Sequence, residues 1–327
     1  MIKAQNDNRH RWGIIYCPKV GAWKPMKRWN EIRDYLKERK VEYDLLQSEN
    51  FSSIERLTRV LADNGYETIV LVGGDGALQD AINGIMASEN RSKIALGIIP
   101  NGIANDFARY WGLNDYDYKH AVDCIMARRT RAVDVGCCSY TTADGEQRRY
   151  FLNVLNIGLT AHLVEIANRK RFLFARAVSS LSGLIHLLFH RQNYNMKIVL
   201  NNQRVEQKFM MLCIGNSRGY GMTPSAVPYN GWLDVSAIKM PKFLGMLQGL
   251  FMVAKKKIMN YKLMVPFRTT EIIIESVDDA RAGIDGRPFA PTYPMRVEVI
   301  PEAFNFIMPN KKSKQNRYDN QRINSDR

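Results

Sequence analysis

Short apolar runs alternate with amphipathic segments through the first part of the chain. "WGIIYCPKVGAW" holds a strand-like run, Gly13–Cys17, that enters a Pro/Gly loop. "KRWNEIRDYLKERK" follows, with Trp29, Ile32 and Leu36 at helical spacing. "VEYDLLQS" reads as a second strand. "SIERLTRVLADNG" reads as a second helix, with Ile54, Leu57, Val60 and Leu61 on one face and Gly65 near its end. "ETIVLVGG" is a third strand with few polar breaks, the pattern of a strand covered on both faces. "ALQDAINGIMA" predicts a helix and "KIALGIIP" a strand. This βαβ series predicts an α/β domain over residues 1–130, an open and mostly parallel sheet with helices on both sides. Ligands of such sheets bind outside the carboxyl ends of the strands, where the glycine-rich loops fall.

From about Arg131 the texture changes to short strand-like segments separated by turns. They are "RAVDVGCCSYTT", "RRYFLNVLNIG", "YNMKIVLNNQRVEQKFMMLCIGNS", "GWLDVSAIKM", "TTEIIIES" and "MRVEVIPEAFNFIMP". They predict a β-rich second domain over residues 131–309. Two helical segments interrupt it, roughly Ala161–Phe189 and Phe243–Ile258. Residues 310–327, "NKKSKQNRYDNQRINSDR", are polar and basic, and their composition predicts disorder. No internal repeat is evident.

The chain has 327 residues, a length that suits about two domains. No apolar run reaches the roughly 18 residues of a membrane span. "MIKAQNDNRHRW" has no apolar core of a secretory signal. Five cysteines, an odd number with no CxxC pair, indicate neither a disulfide framework nor a zinc site, and a reducing cytoplasm fits best. The formal net charge of +15 favours anionic partners or a solvated basic surface. No nucleic-acid-binding signature accompanies it.

Two loops could carry chemistry. The first is Gly73-Gly74-Asp75-Gly76, where a strand hands over to a helix. Glycines there let backbone N–H groups approach an anion at a helix N-terminus, although a simple turn would read the same. It lacks the Lys-Ser/Thr of a P-loop and the spacing of a dinucleotide fingerprint. The second is "GIIPNGIANDFARYWGL", in which Pro100-Asn101-Gly102 forces a turn. Asn105 and Asp106 open the next helix, and a plain helix cap is the alternative there.

"GGDG" followed by "PNGIANDFAR" resembles the diacylglycerol kinase catalytic-domain family, which includes bacterial lipid kinases and sphingosine kinases. The similarity continues through "YFLNVLNIGLTAHL", "IGNSRGYGMTPSAVPYNGWLDVSAI" and "GIDGRPF", from about Gly13 to Pro309. The resemblance implies an NAD kinase/diacylglycerol kinase-like fold: a nucleotide-binding α/β domain, then a β-sandwich, with the active site in the cleft between them. It implies an ATP- and Mg²⁺-dependent kinase phosphorylating the hydroxyl of diacylglycerol, a sphingoid base or a related lipid. The lipid would sit at an anionic membrane surface, with the protein cytoplasmic and peripheral. Strand edges could pair two copies into a homodimer. Two other readings remain open: a weakened or inactive relative that binds lipid or nucleotide, and an NAD kinase-like enzyme.

By the same resemblance, nucleotide contacts fall on Pro18, Gly21, Gly73, Gly74, Asp75, Gly76, Ala77, Gly102, Asn105 and Asp106. Asp285 is the candidate base. Asp75, the second catalytic candidate, lies at the ATP phosphates and works through Mg²⁺ or through backbone hydrogen bonds. Asn230 and Asp234 mark a metal-associated segment. The apolar stretch Phe172–Phe189 is a candidate wall of the lipid site. The family pattern has Thr where this chain has Ala77 and Ile103, Asp where it has Asn230, and Glu where it has Arg287.

Overall fold

The computed structural model describes residues 8–18, 25–102, 105–114, 117–159, 161, 192–218, 222–254 and 257–309. Gly21, Ile103, the tail 310–327 and all but Ala161 of the helix expected over 161–189 lie outside them. The chain divides into two compact units. One takes the residues up to Val133 and those from Glu302 onward; the other is Asp134–Pro301.

The first unit is built in chain order from β1 (Trp12–Tyr16), α1 (Pro25–Glu38), β2 (Tyr43–Gln47), α2 (Phe51–Asp63), β3 (Thr68–Gly73), α3 (Asp75–Met86), β4 (Ala95–Pro100), α4 (Asp106–Tyr110) and α5 (Tyr118–Ala127). Its strands lie in the order β2-β1-β3-β4, each pair parallel. Every residue of β1, β3 and β4 is buried, which explains the unbroken apolar runs. The register puts Gly13, Ile69 and Leu96 on one face, and Gly13 meets Leu61 of α2. Gly97, on the other face, meets Ile125 of α5. With α3 against α2 and α1 against α5, helices cover both sides of the sheet.

Helix α2 departs from the expected face. Ile54 and Leu61 are buried, but Val60 is 41% exposed and Thr58 is fully buried. The cause is α3. A Cβ on Gly84 would lie 2.4 Å from the Glu55 carbonyl oxygen and 2.8 Å from Thr58 Cβ. Two backbones this close need a glycine on one side and a small residue on the other. Thr58 satisfies its hydroxyl by donating to the Ile54 carbonyl at 2.8 Å. Helix α5, over residues whose pattern had assigned no element, buries Ala121, Val122, Cys124 and Ile125.

The second unit carries β5 (Thr130–Thr142), β6 (Gly145–Phe151), β7 (Val154–Gly158), β8 (Tyr194–Leu200), β9 (Gln203–Phe209), β10 (Met211–Gly215), β11 (Leu233–Ile238), α6 (Phe243–Ala254), β12 (Met264–Thr269), β13 (Glu271–Val277), β14 (Ala282–Ile284), β15 (Arg287–Phe289) and β16 (Met295–Ile307). Six antiparallel strands form one sheet in the order β12-β11-β10-β7-β14-β15. A second antiparallel run is β16-β13-β8-β9, and β5 pairs with β6. Leu155, Ile157, Ile214 and Val235 from the first sheet share one core with Ile198, Ile272, Ile274 and Val297 from the second. This is a β-sandwich, as expected. Alternate residues of the six-stranded sheet, Val154, Cys213 and Ile238, point away from that core and join Ile258, Tyr261 and Met264.

The unit boundary falls within β5 and β16. The end of β16 belongs to the first unit, because Asn305 and Phe306 pair in parallel with Ala95 and Leu96 of β4.

Candidate functional site

Loops at the carboxyl ends of three strands carry the nucleotide candidates in the first unit. Pro18 follows Cys17, whose N–H extends the ladder to the Val72 carbonyl at 3.1 Å. Gly73 ends β3, and its carbonyl accepts from Asn101 N–H at 2.8 Å. Gly74 is the N-cap of α3 in an extended conformation, and no side chain caps the helix. The first-turn N–H groups of a helix have no partner within it, so they are the natural seat of an anion. Gly102 packs directly on Gly74: a Cβ on Gly102 would lie 2.5 Å from Gly74 Cα. The sequence-selected glycines Gly73, Gly74 and Gly102 are therefore brought together, with Gly76 and the buried Ala77 in the first turn behind them.

The polar side chains of these loops hold the loops themselves. Asp75 accepts Asp106 N–H at 2.9 Å on one oxygen and Phe107 N–H at 3.1 Å on the other. A residue in one helix thus caps another, 31 positions away. Asn105 is the local N-cap of α4, yet its backbone is left-handed (φ 52°) and its side chain makes no cap bond. Its amide instead clasps Gly102: Oδ1 accepts Gly102 N–H and Nδ2 donates to the Gly102 carbonyl, both at 2.9 Å. Asn105 is fully buried. Asn101, read from sequence only as a turn residue, is 97% buried, and its Nδ2 donor has no partner among the described residues. An unsatisfied buried donor is costly, and a phosphate oxygen or other acceptor would relieve it.

In the second unit, Asp285 and Gly286 form the two-residue turn between β14 and β15, with φ values of 44° and 84°. Two left-handed residues make the tight hairpin turn for which Asp-Gly is a strong signal. The Asp285 carboxylate is 2% exposed. It accepts three backbone N–H groups: Leu152 at 2.8 Å, Asn153 at 3.0 Å and Val154 at 2.8 Å. At least three of its roughly four acceptor positions are occupied. Around it lies a buried polar network missed by sequence reasoning, although its residues sit inside quoted segments. Ser217 donates to Asn153 Oδ1 at 2.7 Å. Asn216 Nδ2 donates to the carbonyls of Asp134 and Leu152 at 2.9 and 3.0 Å. Asn216 Oδ1 is a buried acceptor with no partner among the described residues. The signal available in sequence was an Asn or Ser in an otherwise apolar strand end, which burial turns into a paired group.

The metal candidates are engaged elsewhere. Asp234, on β11, takes a two-pronged ion pair from Arg268 of β12, at 2.7 and 3.3 Å. Asn230 Oδ1 accepts Trp232 N–H at 3.0 Å, a local turn bond. The neighbouring Gly231 N–H donates instead to Asp134 at 2.7 Å. Among the described residues, no three His, Cys, Asp or Glu side chains gather to hold a metal ion. Mg²⁺ that keeps several waters and rides on phosphates needs no such cage.

Residues 11–138 match the diacylglycerol kinase catalytic domain, and residues 153–308 match the YegS C-terminal NAD kinase beta sandwich-like domain. A diacylglycerol kinase of Mycobacterium tuberculosis H37Rv is 23% identical over 315 residues, 94% of this chain and 99% of that protein. A "Probable lipid kinase YegS-like" of Shewanella frigidimarina is 24% identical over 273 residues, 80% of this chain and 82% of that protein. The crystal structure of a diacylglycerol kinase from Bacillus anthracis superposes with a TM-score of 0.71 at 21% identity, covering 92% of this chain and 98% of that one. At that identity the superposition speaks for the fold.

Proposed function

Because the chain belongs to the diacylglycerol kinase family, with its catalytic domain followed by the YegS-type sandwich domain, we propose that it is an ATP- and Mg²⁺-dependent lipid kinase. It transfers the γ-phosphoryl group to the hydroxyl of diacylglycerol or a related lipid. The observation that carries this reading is the pair of abutted glycine loops at the uncapped N-terminus of α3. Backbone N–H groups there can donate to polyphosphate oxygens, and the buried Asn101 Nδ2 adds a further donor. Asp75 and Asn105 serve by fixing the two loops, which preorganises the anion seat before a nucleotide arrives. The chemistry that bound ATP and Mg²⁺ supply is a transferable phosphoryl group with its charge neutralised. In the second unit, Asn216 Oδ1 offers a buried acceptor for a substrate hydroxyl beside the Asp285 network.

The test is phosphoryl transfer from radiolabelled ATP with Mg²⁺ to diacylglycerol, monoacylglycerol, ceramide and sphingoid bases in mixed micelles, with NAD in a parallel reaction. Label is expected on a lipid and absent from Gly102→Ala, whose Cβ forces the two loops apart. Label on NAD alone would overturn the proposal.

A second reading has its own observation. With three backbone donors on its carboxylate, Asp285 has little capacity left to accept a proton from a substrate. A lipid- or nucleotide-binding relative without turnover would bind ATP in calorimetry and label nothing in the same panel.

A further inference from the structure

Helix α6 carries three large apolar side chains on the outside, Leu244, Leu247 and Phe251. Its sequence, "FLGMLQGLFMVA", has one polar residue, Gln248, and no charge. Gly245 and Gly249 face the protein. A Cβ on Gly245 would lie 3.3 Å from the Tyr261 hydroxyl oxygen, and one on Gly249 would lie 3.4 Å from the Tyr261 ring. The Tyr261 hydroxyl donates to the Gly245 carbonyl at 2.8 Å, and Met252 packs on the cluster beneath. Leu244, Leu247 and Phe251 follow at positions i, i+3 and i+7, on another stripe. They are 78%, 42% and 64% exposed. One exposed leucine is ordinary in a folded protein; three large apolar side chains in one row are the mark of a docking surface.

The charge around the helix says what the surface fits. Between Asp234 and Glu271 the chain has seven lysines and arginines and no acidic residue. Lys242 precedes α6, and Lys257 and Lys262 follow it; all three are exposed, and none forms an ion pair. An apolar row with cations at both ends matches the layering of an anionic bilayer, with acyl chains beneath and phosphates at headgroup level. Nucleic acid would use the lysines and leave the leucines in water. At about 1.5 Å per residue a 12-residue helix is about 18 Å long, short of the roughly 30 Å of a bilayer core. Among the described residues no helix is long and apolar enough to cross a membrane.

We propose that α6 docks the protein on anionic membranes by lying in the plane of the interface, with Leu244, Leu247 and Phe251 immersed and the flanking lysines on lipid phosphates. This rests on the lipid-kinase reading, since an enzyme acting on a membrane lipid must work at that surface.

The test is flotation of the full chain, without ATP, with vesicles of phosphatidylcholine alone or mixed with phosphatidylglycerol. The wild type is expected to float with the mixed vesicles and to be released by salt. The triple variant Leu244→Ser/Leu247→Ser/Phe251→Ser is expected to bind about tenfold less or worse, and Lys242→Gln/Lys257→Gln several-fold less. All five native cysteines are buried, so Leu247→Cys accepts an environment-sensitive fluorophore selectively. Its emission is expected to shift to the blue on mixed vesicles. Unchanged flotation of the triple variant, or no blue shift, overturns the proposal. So does a wild-type dimer that floats with neither vesicle and that the triple variant disperses, which would mean a second copy covers the row. Transfer to a dispersed short-chain diacylglycerol, measured separately, reads the kinase activity, and the triple variant keeps it. Loss of docking and failure of the kinase reading therefore give different results.

Discussion

Asp75 and Asp285 are both carboxylates turned onto backbone N–H groups, and this changes what their substitution would measure. Asp75→Ala strands the N–H groups of Asp106 and Phe107 at the start of α4. The expected loss is about 1–3 kcal/mol of stability, with weaker ATP binding because the Gly102 loop is no longer tied to α3. Asp75→Asn keeps one acceptor and falls between. Denaturation curves and titration calorimetry on the three proteins check this. Asp285→Asn replaces one acceptor oxygen by an NH₂ group facing backbone donors. It is expected to cost about 3 kcal/mol, so lost activity in that variant reports on the base only if the folded fraction is measured alongside it. Sequence located both aspartates but not their partners. Asp75 reaches 31 residues and Asp285 as many as 133, and no local pattern encodes such distances.

At the scale of elements, one polar cluster ties the first strands together and makes their stability depend on pH at both ends. Arg11 donates from Nε and Nη2 to the two carboxylate oxygens of Asp44 on β2 at 2.8 and 2.9 Å, and Tyr66, ahead of β3, donates its hydroxyl to the same carboxylate at 2.7 Å. The Arg11 hydrogen bond, then that of Tyr66, holds the Asp44 carboxyl below its ordinary 3.8. A depressed value gives stability that is present above 3.8 and lost as the pH falls through the lower folded value. Burial, with the bond to Asp44 adding to it, pushes the Tyr66 hydroxyl up to about 12. A raised value gives stability that is present below the ordinary 10.0 and lost between there and about 12. Thermal melts should show Tyr66→Phe less stable than the wild type near neutrality and level with it by the top of that window. Asp44→Asn should flatten the acid limb. The strands and helices around this cluster were legible because each buries a face with its own period. The face of α2 was misread because Gly84 admits α3 from a side that the apolar pattern does not mark. The β14–β15 hairpin was legible in principle from Asp285-Gly286, but strands of three residues are too short to show an alternation.

At the scale of the whole molecule, the alternation of strands and helices and then of strands and turns foretold two architectures. It did not foretell that the chain's last strand completes the first unit. Asn305 and Phe306 pair with β4, some 210 positions earlier, a contact set by topology rather than by any local signal. Phe306 is fully buried there. Its ring meets Phe107 of α4 edge-on at 5.1 Å and lies 5.7 Å from Trp111. Helix α4 has five residues, too few to be stable without packing, and it presents the two N–H groups that Asp75 holds. The end of β16 therefore supports α4 and the glycine loops beside it through the ring contacts of Phe306 with Phe107 and Trp111. Phe306→Ala should cost about 3–5 kcal/mol and weaken ATP binding through α4; Phe306→Leu, which refills most of the cavity, should recover much of both. Hydrogen exchange separates this from general unfolding. Protection should fall in β4, α4 and the Gly102 loop while β10 and β13 of the second unit keep theirs. Equal loss across residues 134–301 would mean that the end of β16 supports the whole chain rather than the first unit.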